Sequence, residues 1–254
     1  MSYFVNENSV VRKIWSRSDM VLFIFAGAAA EFALNKAVDW LYFTGKLPSD
    51  PLGRLFSTVR YAHTIIYSST CEAHQTIDTM RHIHSSVEQN RGVAIPDWAY
   101  RDVLFLLIYY SIASYELLER KLTVEEKEEV YSVFHRVGIR MGLKALPSDY
   151  IEWLPVRKAH LIEDLQPGNY TIDLFRQYRK HLGAIRYFIL IEVQKLIIPE
   201  HVRHLLDLSR YSWLAPAVPV YKLGRQIKLD KILRAVLLPA AYKTQMKTLE
   251  VRLN

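Results

Sequence analysis

Cysteine is nearly absent from this 254-residue chain. A single residue, Cys71, excludes a disulfide framework and any structural zinc site built on two or more cysteines. Glycine (9) and proline (10) are scarce for this length, which favours long regular elements over many turns. No stretch alternates apolar and polar residues with hairpin turns between, so no sheet is expected. Long apolar runs are missing too. Met20–Leu34 is interrupted by Glu31 and Val103–Ala113 covers only about three turns, whereas a spanning helix needs roughly 20 apolar residues. The first residues lack the basic start and apolar stretch of a signal peptide, and with one cysteine a reducing cytoplasm is the expected home, a peripheral membrane contact being left open.

Several catalytic classes lack their parts. There is no Gly-rich phosphate loop, no Gly-x-Ser-x-Gly elbow and no His-Glu-x-x-His zinc motif. The paired Glu-x-x-His motifs of di-iron bundles are absent, as is Cys-x-x-Cys-His for covalent haem. His201 and His204, three apart, have no third ligand at suitable spacing.

What is present is a half-apolar chain with 12% aromatics and sixteen tyrosines, enough to bury a large core. The net charge of +7 favours anionic partners. Its Lys and Arg are dispersed and not interleaved with stacking aromatics, so nucleic acid is not expected as a partner. A membrane surface or an anionic cofactor fits the charge equally well.

Start and stop signals divide most of the chain into helices. Ser18 and Asp19 cap one running toward Trp40, ended by Gly45 and Pro48. Asp50-Pro51 opens another through about Ser68. Ser69-x-x-Glu72 and Thr123-x-x-Glu126 are capping boxes for helices ending before Gly92 and at Gly142. Pro96-Asp97 opens an apolar helix to about Arg120. Ser148 begins one that Pro155 should kink or shorten. Breaks follow at Pro167-Gly168, Gly183, Pro199, Pro216-x-x-Pro219 and Pro239. The reading is an all-α, single-domain bundle over 1–254, with a core over 10–165 and C-terminal helices over 170–254.

Nine histidines are the main soft ligands. His84 shares a helical stripe with Ala73, Ile77, Met80 and Val87 and should point inward, where an imidazole needs a partner. His82 falls on a solvent-like face with Asp78 and Ser86. On the preceding helix Arg54, Thr58, Tyr61 and Ile65 form a semi-apolar stripe, the dressing expected around a bound polar group. His63 rivals His84, with Phe56, Val59, Ile66 and Tyr67 around it. His181 is a weaker third, and His135 and His160 sit on mixed faces that decide nothing. A core histidine, a salt-bridged Arg54 and a helix-internal Thr58 hydroxyl are the structural alternatives.

Three segments together resemble the rubber oxygenase and MpaB oxygenase superfamily, which includes latex-clearing protein. They are Trp15-Ser16-Arg17-Ser18-Asp19, Asp50-Pro51-x-x-Arg54-Leu55-x-x-Thr58-x-x-Tyr61 and Met80-Arg81-His82-Ile83-His84-Ser85-Ser86-Val87. Leu122-Thr123-x-x-Glu126, Tyr131, Gly138, Leu146-Pro147-Ser148 and Tyr150 extend the likeness over most of residues 10 to 165. The resemblance implies an elaborated globin-like helical fold holding b-type haem (iron protoporphyrin IX). His84 would be the axial metal ligand, in a His-x-x-Val pattern, and Arg54 and Thr58 the catalytic pair on the distal side. Tyr61 would stand beside the cofactor, and Arg81, Arg60 or another basic side chain would pair with its propionates. The implied activity is a haem-dependent oxygenase acting on an apolar, unsaturated, isoprenoid-like substrate with dioxygen or peroxide; the alternative is a non-catalytic haem or lipid carrier. The second ring nitrogen of His84 should donate to a carbonyl or carboxylate that fixes its tautomer. Helices around Phe23 and Leu104–Tyr110 are the expected channel lining. Two features depart from the family pattern. Ser57 stands where the rubber-oxygenase branch has lysine, and Leu106-Leu107-Ile108-Tyr109-Tyr110 replaces a Trp-Val-His-like segment. No catalytic base is assigned; Glu31 is the one acid in the first apolar helix.

Overall fold

The structure, a computed structural model, describes residues 2–43 and 49–224. Gly45, Pro48 and Pro239, expected as breakers, lie outside the described residues. Eleven helices are described: α1 Val10–Trp15, α2 Ser18–Phe32, α3 Val38–Phe43, α4 Pro51–Tyr67, α5 Thr70–Arg91, α6 Asp97–Leu118, α7 Val124–Met141, α8 Tyr150–Glu163, α9 Asn169–Ile197, α10 Glu200–Leu205 and α11 Ala217–Gly224. Among the described residues there is no strand, only two isolated bridges, Tyr3 with Ser69 and Asn35 with Leu165. No helix of the described residues is long and apolar enough to cross a membrane.

The capping chemistry sets the boundaries of the long helices. Asp50 accepts from the Gly53 amide at 2.8 Å, ahead of Pro51. Both capping boxes close reciprocally: Ser69 with Glu72 at 3.1 and 3.3 Å, and Thr123 with Glu126 at 3.0 and 3.2 Å. Gly92 and Gly142 end α5 and α7 at φ 72° and 89°, where a side chain would be strained.

One expected helix is corrected, one is not shortened at its proline, and one helix is new. The helix from Ser18 toward Trp40 is two helices, broken at residues 33–37. There Asn35 folds its side-chain oxygen onto the Ala37 amide at 2.8 Å, while Lys36 donates its backbone N–H to the Asp164 carbonyl at 3.0 Å. Such local bonds offer the backbone an alternative to the helix. α8 runs through Pro155 to Glu163, because the ring forfeits only one bond, to the Ile151 carbonyl, on a turn whose Ile151 and Leu154 are exposed. α1 went unread; Ser9 caps it by accepting from the Val11 amide at 3.1 Å. Gly183, with φ 75°, interrupts α9 as expected.

One apolar core joins the layers. α2 lies along α6 in the most extensive helix pairing, and α9 crosses α2, α4 and α6. Gly27 makes the α2–α6 approach close, since a Cβ there would stand 2.2 Å from the Tyr110 ring. Trp15, fully buried, meets Phe25 edge-on at 6.2 Å and donates its indole N–H to Ser111 at 3.2 Å. Phe23 and Leu104–Tyr110, expected to line a channel, sit largely in this packed core, with Phe105, Ile108 and Tyr110 at 0% exposure.

Candidate functional site

α4 and α5 form an antiparallel hairpin turning at Ser68 and Ser69, and that turn sets the register of the site. Arg54 lies fourteen residues before Ser68 and His84 fifteen after Ser69. At 1.5 Å per residue both stand about 21 to 23 Å from the turn, at one level of the hairpin. Their proximity is electrostatic as well. Burial lowers the pKa of His84, and the Arg54 charge lowers it further against the opposing pull of Glu88. The imidazole is therefore neutral at pH 7, the form that can ligate a metal.

The stripe carrying His84 is inward, as its spacing predicts: Ala73 and Ile77 are at 0% exposure, Met80 is partly buried against the core, and His84 itself is half-buried. His82 is exposed. The Nδ1 atom of His84 is buried with no hydrogen-bond partner, and among the described residues no carbonyl or carboxylate bonds either ring nitrogen, so Nδ1 is the nitrogen left open for a ligand. Instead the ring meets Tyr100 edge-on at 5.3 Å, and Tyr100 donates its hydroxyl to Glu88 at 3.1 Å. Glu88 also accepts from the Ile95 amide at 2.8 Å, fixing the chain between α5 and α6 behind the imidazole.

Arg54 is half-buried, and burial lowers its pKa. It pairs with no carboxylate among the described residues, so the salt-bridge alternative is not realised. Tyr61 is the neighbour that acts on its charge. Thr58 follows the helix-internal alternative: its hydroxyl donates to the Arg54 carbonyl at 3.2 Å. Arg60 is exposed, 6.0 Å from the Tyr61 ring centre. Arg81 is exposed and turned toward the end of α7, its guanidinium carbon 3.8 Å from where a Cβ on Gly142 would stand. The structure thus brings Arg54 level with His84, leaves Tyr61 about two turns nearer the hairpin turn and sends Arg81 outward along another neighbour.

The rival histidines part company here. His63 is 5% exposed and enclosed by Trp15 at 6.3 Å and Tyr67 at 5.4 Å, inside the aromatic core. His181 is half-buried two residues before the Gly183 kink.

Two buried polar groupings escaped the sequence reading. Glu31 on α2 and Arg157 on α8 form a bidentate pair at 2.5 and 2.6 Å, and Tyr110 donates its hydroxyl to Glu31 at 2.9 Å. Burial lowers and Glu31 raises the Arg157 pKa, with a net rise; burial and then Glu31 push Tyr110 well up. Both Glu31 oxygens are thereby taken by the Arg157 guanidinium, and one also by the Tyr110 hydroxyl. Beside this pair, Nδ1 of His160 lies 2.5 Å from Asp102 and 2.8 Å from Asp164, and Asn35 donates to the second Asp102 oxygen at 2.5 Å. These His and Asp atoms satisfy the distance criterion for a metal-binding group. Separations of 2.5 and 2.8 Å from one nitrogen are nevertheless hydrogen-bond lengths, so the cluster is closed around a shared N–H. The available signal was a charge in an apolar stripe: Asp102 between Ala99 and Phe105, and Arg157 and His160 in line with Trp153.

No curated protein and no solved structure matches the chain in comparison with either set. The family described as ER-bound oxygenase mpaB/B'/rubber oxygenase, catalytic domain, does match, over residues 14–229. That span begins just before Trp15 and takes in α2 to α11, with the α4–α5 hairpin and its Arg54, Thr58 and His84 inside it. The chain accordingly belongs to this family of oxygenase catalytic domains.

Proposed function

We propose that the chain is a haem b-dependent oxygenase in which His84 would hold the iron and Arg54 and Thr58 would serve the reaction beside it. The observation that carries the reading is a pair of incomplete polar groups on facing helices: a buried, unpartnered Nδ1 on a neutral His84 and a half-buried Arg54 without a carboxylate. A buried imidazole nitrogen and a desolvated guanidinium each cost free energy until something electron-accepting and something anionic meet them. A ligated metal and the oxygens of a porphyrin or its bound co-substrate answer both needs.

When bound, haem supplies an iron centre able to activate dioxygen or peroxide. Arg54 is the donor suited to hold developing negative charge, since its N–H groups are free of any carboxylate. Thr58, already donating to the Arg54 carbonyl, presents lone pairs and acts as an acceptor unless its hydroxyl rotates. The Glu88–Tyr100 bond stiffens the wall against which the imidazole stands. Tyr61 and Arg60 are the polar and basic side chains of α4 for the propionates, and Arg81 would serve them only by turning back from the end of α7. An apolar, unsaturated, isoprenoid-like molecule is the substrate class, with dioxygen or peroxide as co-substrate.

Titrating the purified protein with haemin and recording its absorption spectrum tests this. A shifted Soret band is expected in the wild type and its loss or marked weakening in His84→Ala. Arg54→Ala and Thr58→Ala should retain the band and lose oxygen consumption with isoprenoid or unsaturated fatty-acid substrates. Identical spectra for wild type and His84→Ala would remove His84 as the ligand. A haem-loaded wild type that consumes no oxygen with any such substrate would favour a carrier.

A further inference from the structure

We propose that a cleft between α5 and α7 is a second ligand site, built for a small organic anion with an apolar body. The cleft has a volume of about 410 Å³, within the usual range for small-molecule sites. Phe4 forms one apolar wall and Ile139 the other. Phe4 is placed by the N-terminal segment, which is pinned to the hairpin turn: the Phe4 amide donates to the Ser68 carbonyl at 3.2 Å and the Thr70 amide to the Ser2 carbonyl at 2.9 Å.

Apart from Thr70, whose hydroxyl donates to the Ser2 carbonyl at 3.0 Å, the polar lining is basic. His74, His135, Arg136 and Arg140 face the cleft, and no carboxylate lines it among the described residues. Arg140 is already neutralised, donating to Asp78 through Nε at 2.8 Å and Nη2 at 2.6 Å. Arg136 is not. It is an exposed residue whose guanidinium carbon sits 4.3 Å over the Phe4 ring, and no ion pair or hydrogen bond meets it among the described residues. His74 stands edge-on to the same Phe4 ring at 5.9 Å, and His135 packs 5.6 Å from Tyr131. Either protonation state of an imidazole offers an N–H. A cation stacked on an aromatic ring, with two imidazoles beside it and an excess positive charge, is a receptor for a carboxylate or phosphate head. An inorganic oxyanion would leave most of the 410 Å³ to water, whereas a ring or short hydrocarbon would lie against Ile139, which is 54% exposed, with the buried Phe4 beneath the Arg136 guanidinium. The site is separate from the His84 end of the hairpin: His74 and His84 are ten residues apart on α5, about 15 Å along its axis. It therefore stands independently of any haem reading.

Calorimetric titration of the full chain with phenyl phosphate, octanoate and inorganic phosphate tests the proposal. Phenyl phosphate and octanoate should bind, and inorganic phosphate at least about tenfold more weakly than phenyl phosphate. Arg136→Gln should weaken phenyl phosphate by about tenfold or more, and Arg136→Lys, which keeps the charge, by less. Ile139→Ser, at a 54% exposed position where folding is not at stake, should weaken phenyl phosphate and leave inorganic phosphate unchanged. His84→Ala should bind all three probes as wild type does. The proposal is overturned if neither organic anion binds better than inorganic phosphate, or if Arg136→Gln, folded by circular dichroism, binds phenyl phosphate like wild type. An Ile139→Ser variant with unaltered phenyl phosphate affinity would overturn the apolar half of it.

Discussion

Arg157→Met is the substitution whose cost the structure defines best. Arg157 and Glu31 meet with side chains 5% and 2% exposed, through contacts of 2.5 and 2.6 Å. Methionine roughly conserves the apolar stem and removes the charge. Glu31 then keeps one hydrogen bond, from Tyr110 at 2.9 Å, for a carboxylate with almost no access to water. Breaking a buried pair from one side costs about 3–5 kcal/mol, because the remaining ion has lost its compensation. In a chain of this size 1 kcal/mol moves Tm by roughly 2–4 °C, so the expected fall is about 6–20 °C. Replacing both residues, Glu31→Met with Arg157→Met, should recover much of the stability, since no ion is then stranded. Urea unfolding followed by far-UV circular dichroism at 25 °C, with calorimetric Tm, measures all four corners of the cycle. The reasoning is refuted if Arg157→Met costs less than about 1 kcal/mol, or if the double variant is less stable than the two single losses predict when added.

Gly27→Ala should cost about 1–3 kcal/mol, because its Cβ would stand 2.2 Å from the Tyr110 ring and that ring is tethered to Glu31; an unchanged urea midpoint would contradict the close approach. Burial, and then the Asp102 charge, raise Asp164 above its usual 3.8. A carboxyl that protonates more readily folded than unfolded adds stability below pH 3.8 and loses it as the pH rises through the folded value. Asp164→Asn should therefore flatten that decline in urea titrations run from pH 3.5 to 7, and a steeper decline would reverse the assignment. Ser69→Ala removes the cap of α5 and should cost about 1 kcal/mol, read as a lower thermal midpoint; a loss below roughly 0.3 kcal/mol would mean the N-terminal segment alone holds the turn.

The long helices were legible because their signals are local. Ser69, Thr123, Gly92 and Gly142 act within one turn of themselves, and the boundaries of α5 and α7 follow them closely. The break at 33–37 was not, because Asn35 works there through partners distant in sequence, Asp102 and the Leu165 bridge. The inward face of α5 was legible from periodicity, since Ala73, Ile77 and His84 repeat at helical spacing. Which neighbour that face meets was not: spacing gives a direction, and only the hairpin register puts Arg54 level with His84. Arg81 shows the limit, being three residues from His84 yet turned toward Gly142.

The buried charges carry the larger lesson for the site. Glu31 looks from the sequence like an acid lodged in an apolar helix, the place where a catalytic base would be sought. In the structure it is saturated, with Arg157 and Tyr110 on its oxygens. Asp102 and His160 are likewise closed on each other. Among the buried polar atoms without a partner in the described residues is His84 Nδ1, and the half-buried Arg54 guanidinium has no carboxylate there. A folded chain tolerates a desolvated polar group without a partner only at a cost of about 1–3 kcal/mol. Arg54 and His84 stand close enough for the Arg54 charge to lower the His84 pKa, and the function proposed above reads that pairing as a place for a ligand that offsets the cost. Where such a group stands alone in the packed core, as Trp153 Nε1 does, it marks strain or a missing water instead. The distinction between a functional and a structural polar residue in this protein is therefore one of completeness, and it can be drawn only after each partner is known.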